Sequence, residues 1–204
     1  MSQLKLTADS GGGTVAIKAP ASTTGNAALD LTVPGTASAT LDTLGRAGNI
    51  LQVVQTVKTD TASNSTASGG VWTPTTPKCS ITPSNASNKI LVQATIAVAL
   101  STDAHGVYLT VLKDGSPIFR GDQEGSNMQR TTVGTFSHNQ YKFGHLVFNY
   151  LDTAGGTSAI EYSLDLRHDS GSTSTIYLNR TEASDDVDDR KRGASSIILM
   201  EVAA

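Results

Sequence analysis

The chain has 204 residues and a formal net charge of −3 at pH 7, and only 16% of its residues are charged, against about 25% in an average globular protein. Without an excess of lysine and arginine to hold phosphates, nucleic acid is not an expected partner. About a quarter of the residues are serine or threonine and 38% are hydrophobic. This composition excludes a helical bundle and a disordered chain, and it favours an all-β protein.

Residues 1–45 differ from the rest of the chain. Three short runs place apolar side chains at alternate positions, as β-strands do: Leu4 and Leu6; Val15 and Ile17; and Leu29, Leu31 and Val33. Each run carries too few apolar side chains to offset the entropy of ordering it. We therefore expect residues 1–45 to be an extended β arm that is ordered by pairing with other chains, with these seven residues making the attachment.

Two segments of the body, residues 46–204, alternate clearly over a long stretch. In Lys89–Leu100 every even position is apolar, and Ser158–Leu166 repeats the pattern. Such alternation indicates strands with one face in a core. In the second segment we expect Ile160, Tyr162, Leu164 and Leu166 to point inward, and Glu161, Ser163 and Asp165 to point outward.

Four other segments are apolar on both faces for part of their length: Ile50–Lys58, Gly106–Lys113, Tyr141–Leu151 and Ser195–Val202. In an antiparallel protein, a strand of this kind lies either at a core between two sheets or against another subunit. Both placements are compatible with the sequence.

Turn residues divide the body into short strands. Asp114-Gly115 between apolar runs is typical of a tight hairpin, and prolines around Cys79–Ile81 suit an edge strand. We count about eight to ten strands with turns roughly every 8–12 residues, a spacing that indicates a sandwich or barrel. The predicted fold is an all-β antiparallel β-sandwich (jelly roll), residues 46–204, with the N-terminal arm before it. The single cysteine, Cys79, excludes an internal disulfide.

The opening segment LKLTADSGGGTVAIKAPASTTGNAALDLTVPG resembles the N-terminal segment of fibre-like virion proteins of tailed bacteriophages. The stretches ITPSNASNKILVQATIAVAL, GVYLTVLKDGSPIF and ASSIILMEV are similar to the C-terminal domain of those proteins, which resembles trimeric jelly rolls of complement and tumour-necrosis-factor type. The resemblance implies a homotrimer on the virion surface, with the arm bound to the major capsid protein or another virion protein. It also implies that the strands containing Ile90, Val107 and Ile197 form the trimer.

Long tail fibres of that family carry a shaft of repeats between the two parts, and this sequence has none. The expected protein is therefore a capsid decoration (cement) protein or a short head fibre. The alternative is a tail fibre or receptor-binding protein that recognises host surface glycans, for which Trp72 is the candidate contact because an exposed aromatic ring can stack on a sugar.

Catalytic and metal-binding patterns are weak. The acidic run at residues 185–189 lacks the spacing of a calcium loop, and His105, His138, His145 and His168 are isolated, without the spacing of a zinc site. A nucleophile elbow and a phosphate-binding loop are also missing. We expect no enzyme activity, no cofactor and no metal. The opening residues lack the apolar stretch of a signal peptide, and no segment is long enough to insert into a membrane, so synthesis in the host cytoplasm is expected.

Overall fold

The structure is a computed structural model that describes residues 3–7, 14–18, 46–126, 129–136, 142–183, 188 and 190–204. Its contacts divide the chain into two compact units, Met1–Leu41 and Asp42–Ala204. In the first unit, strand β1 (Gln3–Thr7) pairs antiparallel with strand β2 (Thr14–Lys18). The two strands form a hairpin within one chain, and the pairing of residues 1–45 with other chains stays a prediction.

The described part of the second unit contains twelve strands and no helix. They are β3 (Ile50–Lys58), β4 (Ala62–Thr66), β5 (Val71–Trp72), β6 (Cys79–Ile81), β7 (Lys89–Leu100), β8 (Gly106–Lys113), β9 (Ser116–Ile118), β10 (Val133–Phe136), β11 (Gly144–Thr153), β12 (Ile160–His168), β13 (Ser174–Leu178) and β14 (Ser195–Val202). The predicted count of eight to ten was too low, because strands as short as β5 and β9 carry no readable alternation. The described residues also hold no helical segment with the length and hydropathy of a membrane span.

The twelve strands form two antiparallel six-stranded sheets. In sheet 1, β8 and β12 are central, with β10 and β9 along the free edge of β8, and β5 and β6 along the free edge of β12. In sheet 2, β7 pairs with β11 on one edge and with β14 and β13 on the other, and β3 and β4 lie outside these two. Because the chain crosses repeatedly between the sheets, the arrangement is the predicted antiparallel β-sandwich of jelly-roll type.

The core lies between the two sheets and is built from alternate residues of the long strands. The even positions of β7 from Ile90 to Leu100 are all buried, as predicted, and they face Leu109, Leu164 and Leu166 of sheet 1. In β12 the four predicted inward residues are buried, but Ser163, expected outside, is only 7% exposed. Ser163 lies opposite the buried Leu112 of β8, so neighbouring side chains cover this outer position.

The hairpin turn that the sequence predicted at Asp114-Gly115 is present in the structure. Asp114 and Gly115 both adopt positive φ, at 47° and 76°, as the tight turn between β8 and β9 requires. The short edge strand β6 pairs with β12 on one side. Its residue Cys79 is a buried free thiol, 3% exposed.

Aromatic and ionic contacts close the sandwich where β11 approaches sheet 1. The ring of Phe119, just after β9, stacks on Tyr150 of β11 with centroids 4.4 Å apart. Asp152 of β11 forms an ion pair of 2.8 Å with Lys113 of β8 and accepts a hydrogen bond of 2.7 Å from the Tyr162 hydroxyl of β12. Burial is the largest cause that raises the pKa of Tyr162, and this bond to a carboxylate is the next. The phenol therefore remains protonated and donates a hydrogen bond that connects the two sheets.

A buried carboxylate anchors the connection from β6 to β7 onto the end of sheet 2. Glu201 of β14 is fully buried and accepts hydrogen bonds from the side chains of Gln52, Ser84 and Asn88 and from the Ser84 amide, at 2.6–2.8 Å. Burial alone would raise the pKa of Glu201, but these donors outweigh it and lower the pKa to about 2. The charged form is therefore the one that the folded chain stabilises.

We expect this carboxylate to make stability depend on acid pH. The folded pKa is lowered from 4.5 to about 2, so the contribution of Glu201 is complete above pH 4.5 and is lost as the pH falls toward 2. The variant Glu201→Gln should lose about 2 kcal/mol of unfolding free energy at neutral pH, and the gap to the wild type should close through that window. Urea unfolding at successive pH values measures it.

Glu161→Gln is the matched control, because Glu161 is a surface residue that pairs with Lys78. It should change stability by less than about 1 kcal/mol at neutral pH. A constant gap between Glu201→Gln and the wild type down to pH 2 would contradict the assigned role of Glu201.

Candidate functional site

The outer surface of sheet 2 carries most of the exposed apolar side chains among the described residues of the second unit. The strands β3, β14, β7 and β11 point one set of side chains into the core and the alternate set outward. We name seven of these outward apolar residues the apolar face: Val53, Val57, Leu91, Val147, Leu151, Ile198 and Met200. The sequence predicted apolar residues on one or both faces of all four strands, and also of β8 and β12, which lie in sheet 1.

Strand register sets the apolar face in rows across the sheet. Leu151 lies opposite Leu91, Leu91 opposite Met200, and Met200 opposite Val53, which makes one row that is apolar on all four strands. A second row holds Val147 at one end and Val57 at the other. Its two middle positions are Thr95 and Ser196, so only the first row is apolar throughout. Exposed apolar side chains grouped in this way are typical of an interaction surface.

A polar row separates the two apolar rows. It consists of Asn149, Gln93 and Gln55, with Ile198 as its one apolar member between Gln93 and Gln55. Gln93 Nε2 donates a hydrogen bond of 2.9 Å to Asn149 Oδ1. A shallow depression of about 180 Å³ lies at this place, lined among others by Val147 and Ile198. An occupant must therefore satisfy amide groups as well as cover apolar side chains.

Exposure is greatest at the two lateral edges of the apolar face. Val53 and Val57 on β3 are 57% and 55% exposed, and Val147 and Leu151 on β11 are 50% and 53% exposed. Leu91, Ile198 and Met200, on the middle strands, are half-buried. Ile50, at the start of β3 and opposite Val202 of β14, is 56% exposed as well. The most exposed apolar side chains of sheet 2 thus form two separate groups, on β3 and on β11.

The family resemblance implied that the strands containing Ile90, Val107 and Ile197 form the trimer, and these three residues themselves point into the core. Ile90, Val107 and Ile197 are at most 1% exposed and belong to the core. The outward residues of β7 and β14 belong to the apolar face, whereas β8 is in the opposite sheet. Among these strands, only β7 and β14 could contribute to an interface through the apolar face.

The predicted attachment residues are only partly within the described residues. In the hairpin, Leu4 lies opposite Ile17 and Leu6 opposite Val15, so the two predicted runs pair with each other. Leu29, Leu31 and Val33 lie outside the described residues.

Trp72, the predicted glycan contact, is half-buried on the edge strand β5. It lies opposite Leu166 and packs against the hydrophobic core, so part of its ring is already used by the fold. The adjacent Thr73 donates a hydrogen bond to Asp165.

The histidines are dispersed in the structure. His105 Nδ1 lies 3.1 Å from Asp169 Oδ1, His145 packs edge-on against Phe143, and His168 is buried with Nε2 3.2 Å from the Thr66 carbonyl oxygen. His138 and most of the acidic run at residues 185–189 lie outside the described residues. Within the described ranges, no three His, Cys, Asp or Glu residues come close enough to hold a metal ion.

A cavity on the outer surface of sheet 1, lined by both polar and apolar atoms, was not anticipated. Its volume is about 410 Å³, and its lining includes Ser68, Tyr108, Gln129, Thr131, Arg167 and Asp169. These residues come from two strand ends and two loops that are distant in sequence. The one available signal was the strand register, which places Arg167 of β12 opposite Tyr108 of β8.

Tyr108 is held by two glycines and a carboxylate. A Cβ on Gly134 would lie 2.5 Å from the Tyr108 ring, and one on Gly106 would lie 2.8 Å from its hydroxyl, so the ring occupies space that only glycine leaves open. The hydroxyl donates to Asp169 Oδ2 at 3.0 Å, and Asp169 Oδ1 accepts the Gly106 amide at 2.8 Å. Burial and the bond to Asp169 raise the pKa of Tyr108.

Comparison with known proteins gives little beyond architecture. No protein-family model matches the sequence, and no curated protein sequence matches it significantly. The solved structures with some similarity include infectious bursal disease virus of the Gt strain, with 15% identity and a TM-score of 0.41, covering 94% of this chain and 45% of that one. The infectious bursal disease virus VP2 subviral particle has 14% identity and the same TM-score, with 94% and 47% covered. The chain spans less than half the length of these viral chains.

Truncating a side chain on the inner face of β11 should lower the free energy of unfolding more than truncating one on its outer face. Leu146 is fully buried and Leu151 is 53% exposed. In the dissociated chain, Leu146→Ala should cost about 2–5 kcal/mol of unfolding free energy through the cavity it leaves, and Leu151→Ala less than about 1 kcal/mol. Denaturant unfolding at a concentration where ultracentrifugation finds only monomer measures both. Equal losses would mean that the apolar face is already covered within one chain.

Proposed function

We propose that the chain is a structural protein of a tailed-bacteriophage particle, a homotrimeric capsid decoration (cement) protein or short head fibre. It sits on the virion surface and is attached through its N-terminal arm to the major capsid protein or another virion protein. The observation that carries the proposal is the apolar face, which a single chain leaves uncovered. The family resemblance of the opening and closing segments supplies the virion context.

Burial energetics decide how large the subunit contact must be. Covering the exposed half of one aliphatic side chain contributes about 1 kcal/mol, so the four edge residues of the apolar face give roughly 4 kcal/mol per subunit. Association costs on the order of 4–15 kcal/mol. The contact must therefore also include the half-buried middle strands and the polar row, which means the full width of sheet 2.

The two lateral groups suit a closed ring. In a cyclic trimer each subunit meets its neighbours through two different patches. Val147 and Leu151 on the β11 edge of one copy can pack against Val53 and Val57 on the β3 edge of the next. Sheet 2 then faces the three-fold axis and sheet 1 faces solvent.

The N-terminal hairpin is suited to attachment rather than to trimer formation. It belongs to a compact unit of its own, Met1–Leu41, and an isolated two-stranded hairpin is at best marginally stable in water. An added strand from a capsid protein would supply the missing pairing. Leu4, Leu6, Val15 and Ile17 are the proposed contacts, with Leu29, Leu31 and Val33 continuing them.

The alternative, a tail fibre or receptor-binding protein that recognises host glycans, has less support through Trp72. Its ring packs on the core, which leaves little of it for a sugar.

The apolar face should control the oligomeric state. The wild type should sediment as a trimer at micromolar concentration, and Leu151→Lys should sediment as a monomer because its charge would be buried in the subunit contact. Val71→Lys is the matched control, since Val71 is an exposed aliphatic residue, 40% exposed, on sheet 1. Analytical ultracentrifugation distinguishes the species. A wild-type monomer or dimer, or a trimer that survives Leu151→Lys, would contradict the proposed assembly.

Deleting residues 1–41 should separate attachment from assembly. The shortened chain keeps the whole of the second unit, Asp42–Ala204, so it should remain a trimer with an unchanged melting temperature. It should no longer bind to particles that lack the protein. Co-sedimentation with such particles, using the full-length chain as the control, measures the loss. Full occupancy by the shortened chain would refute attachment through the arm.

A further inference from the structure

The cavity on sheet 1 has the features of a ligand site rather than of a gap in the surface. Its volume of about 410 Å³ lies within the range of small-molecule sites in proteins. Three parts of the chain form it: the strand ends carrying Tyr108, Arg167 and Asp169, the loop at Ser68, and the loop at Gln129. Gln129 accepts a hydrogen bond from Arg167 Nη1, so the loop is fixed to the strand that forms the cavity floor.

The aromatic ring in the cavity is held in one orientation. Gly106 and Gly134 leave the space in which the Tyr108 ring lies, and the hydroxyl is bonded to Asp169. Asp169 in turn is fixed by the Gly106 amide and by His105. A ring fixed in this way offers an apolar surface for packing without the entropic cost of ordering it on binding.

The polar groups around the ring mostly donate hydrogen bonds. A guanidinium carries five N–H donors, and the bond from Arg167 to Gln129 uses one of them. The Gln129 amide nitrogen and the hydroxyls of Ser68 and Thr131 add further donors. The two oxygens of Asp169 already accept three bonds. One cationic and one anionic side chain line the cavity, so its formal charge balances.

We propose that this cavity binds a single neutral pyranose unit of a glycan. A pyranose has a face of C–H groups, which packs on an aromatic ring, and a rim of hydroxyl oxygens, which accept from Arg167, Gln129, Ser68 and Thr131. Its lack of charge matches the balanced lining. The site is independent of the apolar face and of the trimer, because it lies on the outer surface of the opposite sheet.

Saturation-transfer NMR on the full-length chain tests the site with methyl glycosides of glucose, galactose, mannose and N-acetylglucosamine as probes. At least one neutral glycoside should receive saturation at its ring protons. Arg167→Gln and Tyr108→Leu should each weaken the binding about fivefold or more, since Arg167→Gln removes charge-assisted hydrogen bonds and Tyr108→Leu removes ring stacking.

Two controls keep the result specific. Tyr177→Leu removes a tyrosine that packs under Arg180 on sheet 2, and Trp72→Leu removes the aromatic residue of the edge strand; both should leave binding unchanged. Melting curves identify variants that fail to fold. If Tyr108→Leu does not fold, the test depends on Arg167→Gln, because Arg167 is partly exposed and its replacement should not disturb the core.

Three outcomes would overturn the proposal. The first is no saturation of any neutral glycoside by the folded wild type. The second is binding of glucuronate or inorganic phosphate alone, which would assign an anion site. The third is binding that is lost with Trp72→Leu but retained in Arg167→Gln, which would place the sugar at the edge strand. These results do not depend on the oligomeric state, so they are separate from the tests of assembly.

Discussion

The set of apolar side chains at the even positions of β7 is the constraint on which the sandwich depends. These side chains, from Ile90 to Leu100, fill the middle of the core, and the backbone of β7 pairs with β11 along one edge and with β14 and β13 along the other. A shift of register by one residue would turn every one of those side chains to the outside. The positions of the three strands that pair with β7, and hence much of the composition of the apolar face, follow from the inward set of this one strand.

The two sheets differ in what lies on their outer surfaces, and this difference organises the proposed function. Sheet 2 presents apolar rows with their most exposed side chains at the β3 and β11 edges, a surface that another subunit can cover. Sheet 1 presents a cavity with an oriented ring and hydrogen-bond donors, a surface suited to a small polar ligand. A sandwich of this kind can assemble through the apolar face of sheet 2 while the cavity on sheet 1 remains accessible.

The sequence predicted the parts of the fold that depend on local pattern. Long alternating strands such as β7 and β12, and the Asp114-Gly115 turn, can be read directly because their signal lies within a dozen residues. Strands of two or three residues, such as β5 and β9, have no period to read. The apolar face was indicated strand by strand, but its rows depend on register between distant segments. The cavity was missed because Gly134, Tyr108 and Arg167 become neighbours only when β10, β8 and β12 pair.

The position of Cys79 gives the molecule an internal reporter of local opening. It is the only cysteine in the chain, and its thiol is buried beneath a strand of three residues that is paired along one edge. A thiol reagent can reach it only when that strand separates from β12, and edge strands of this kind open more easily than central ones. The rate of labelling therefore measures how often the sandwich loosens at this border, in the native chain and without any engineered probe.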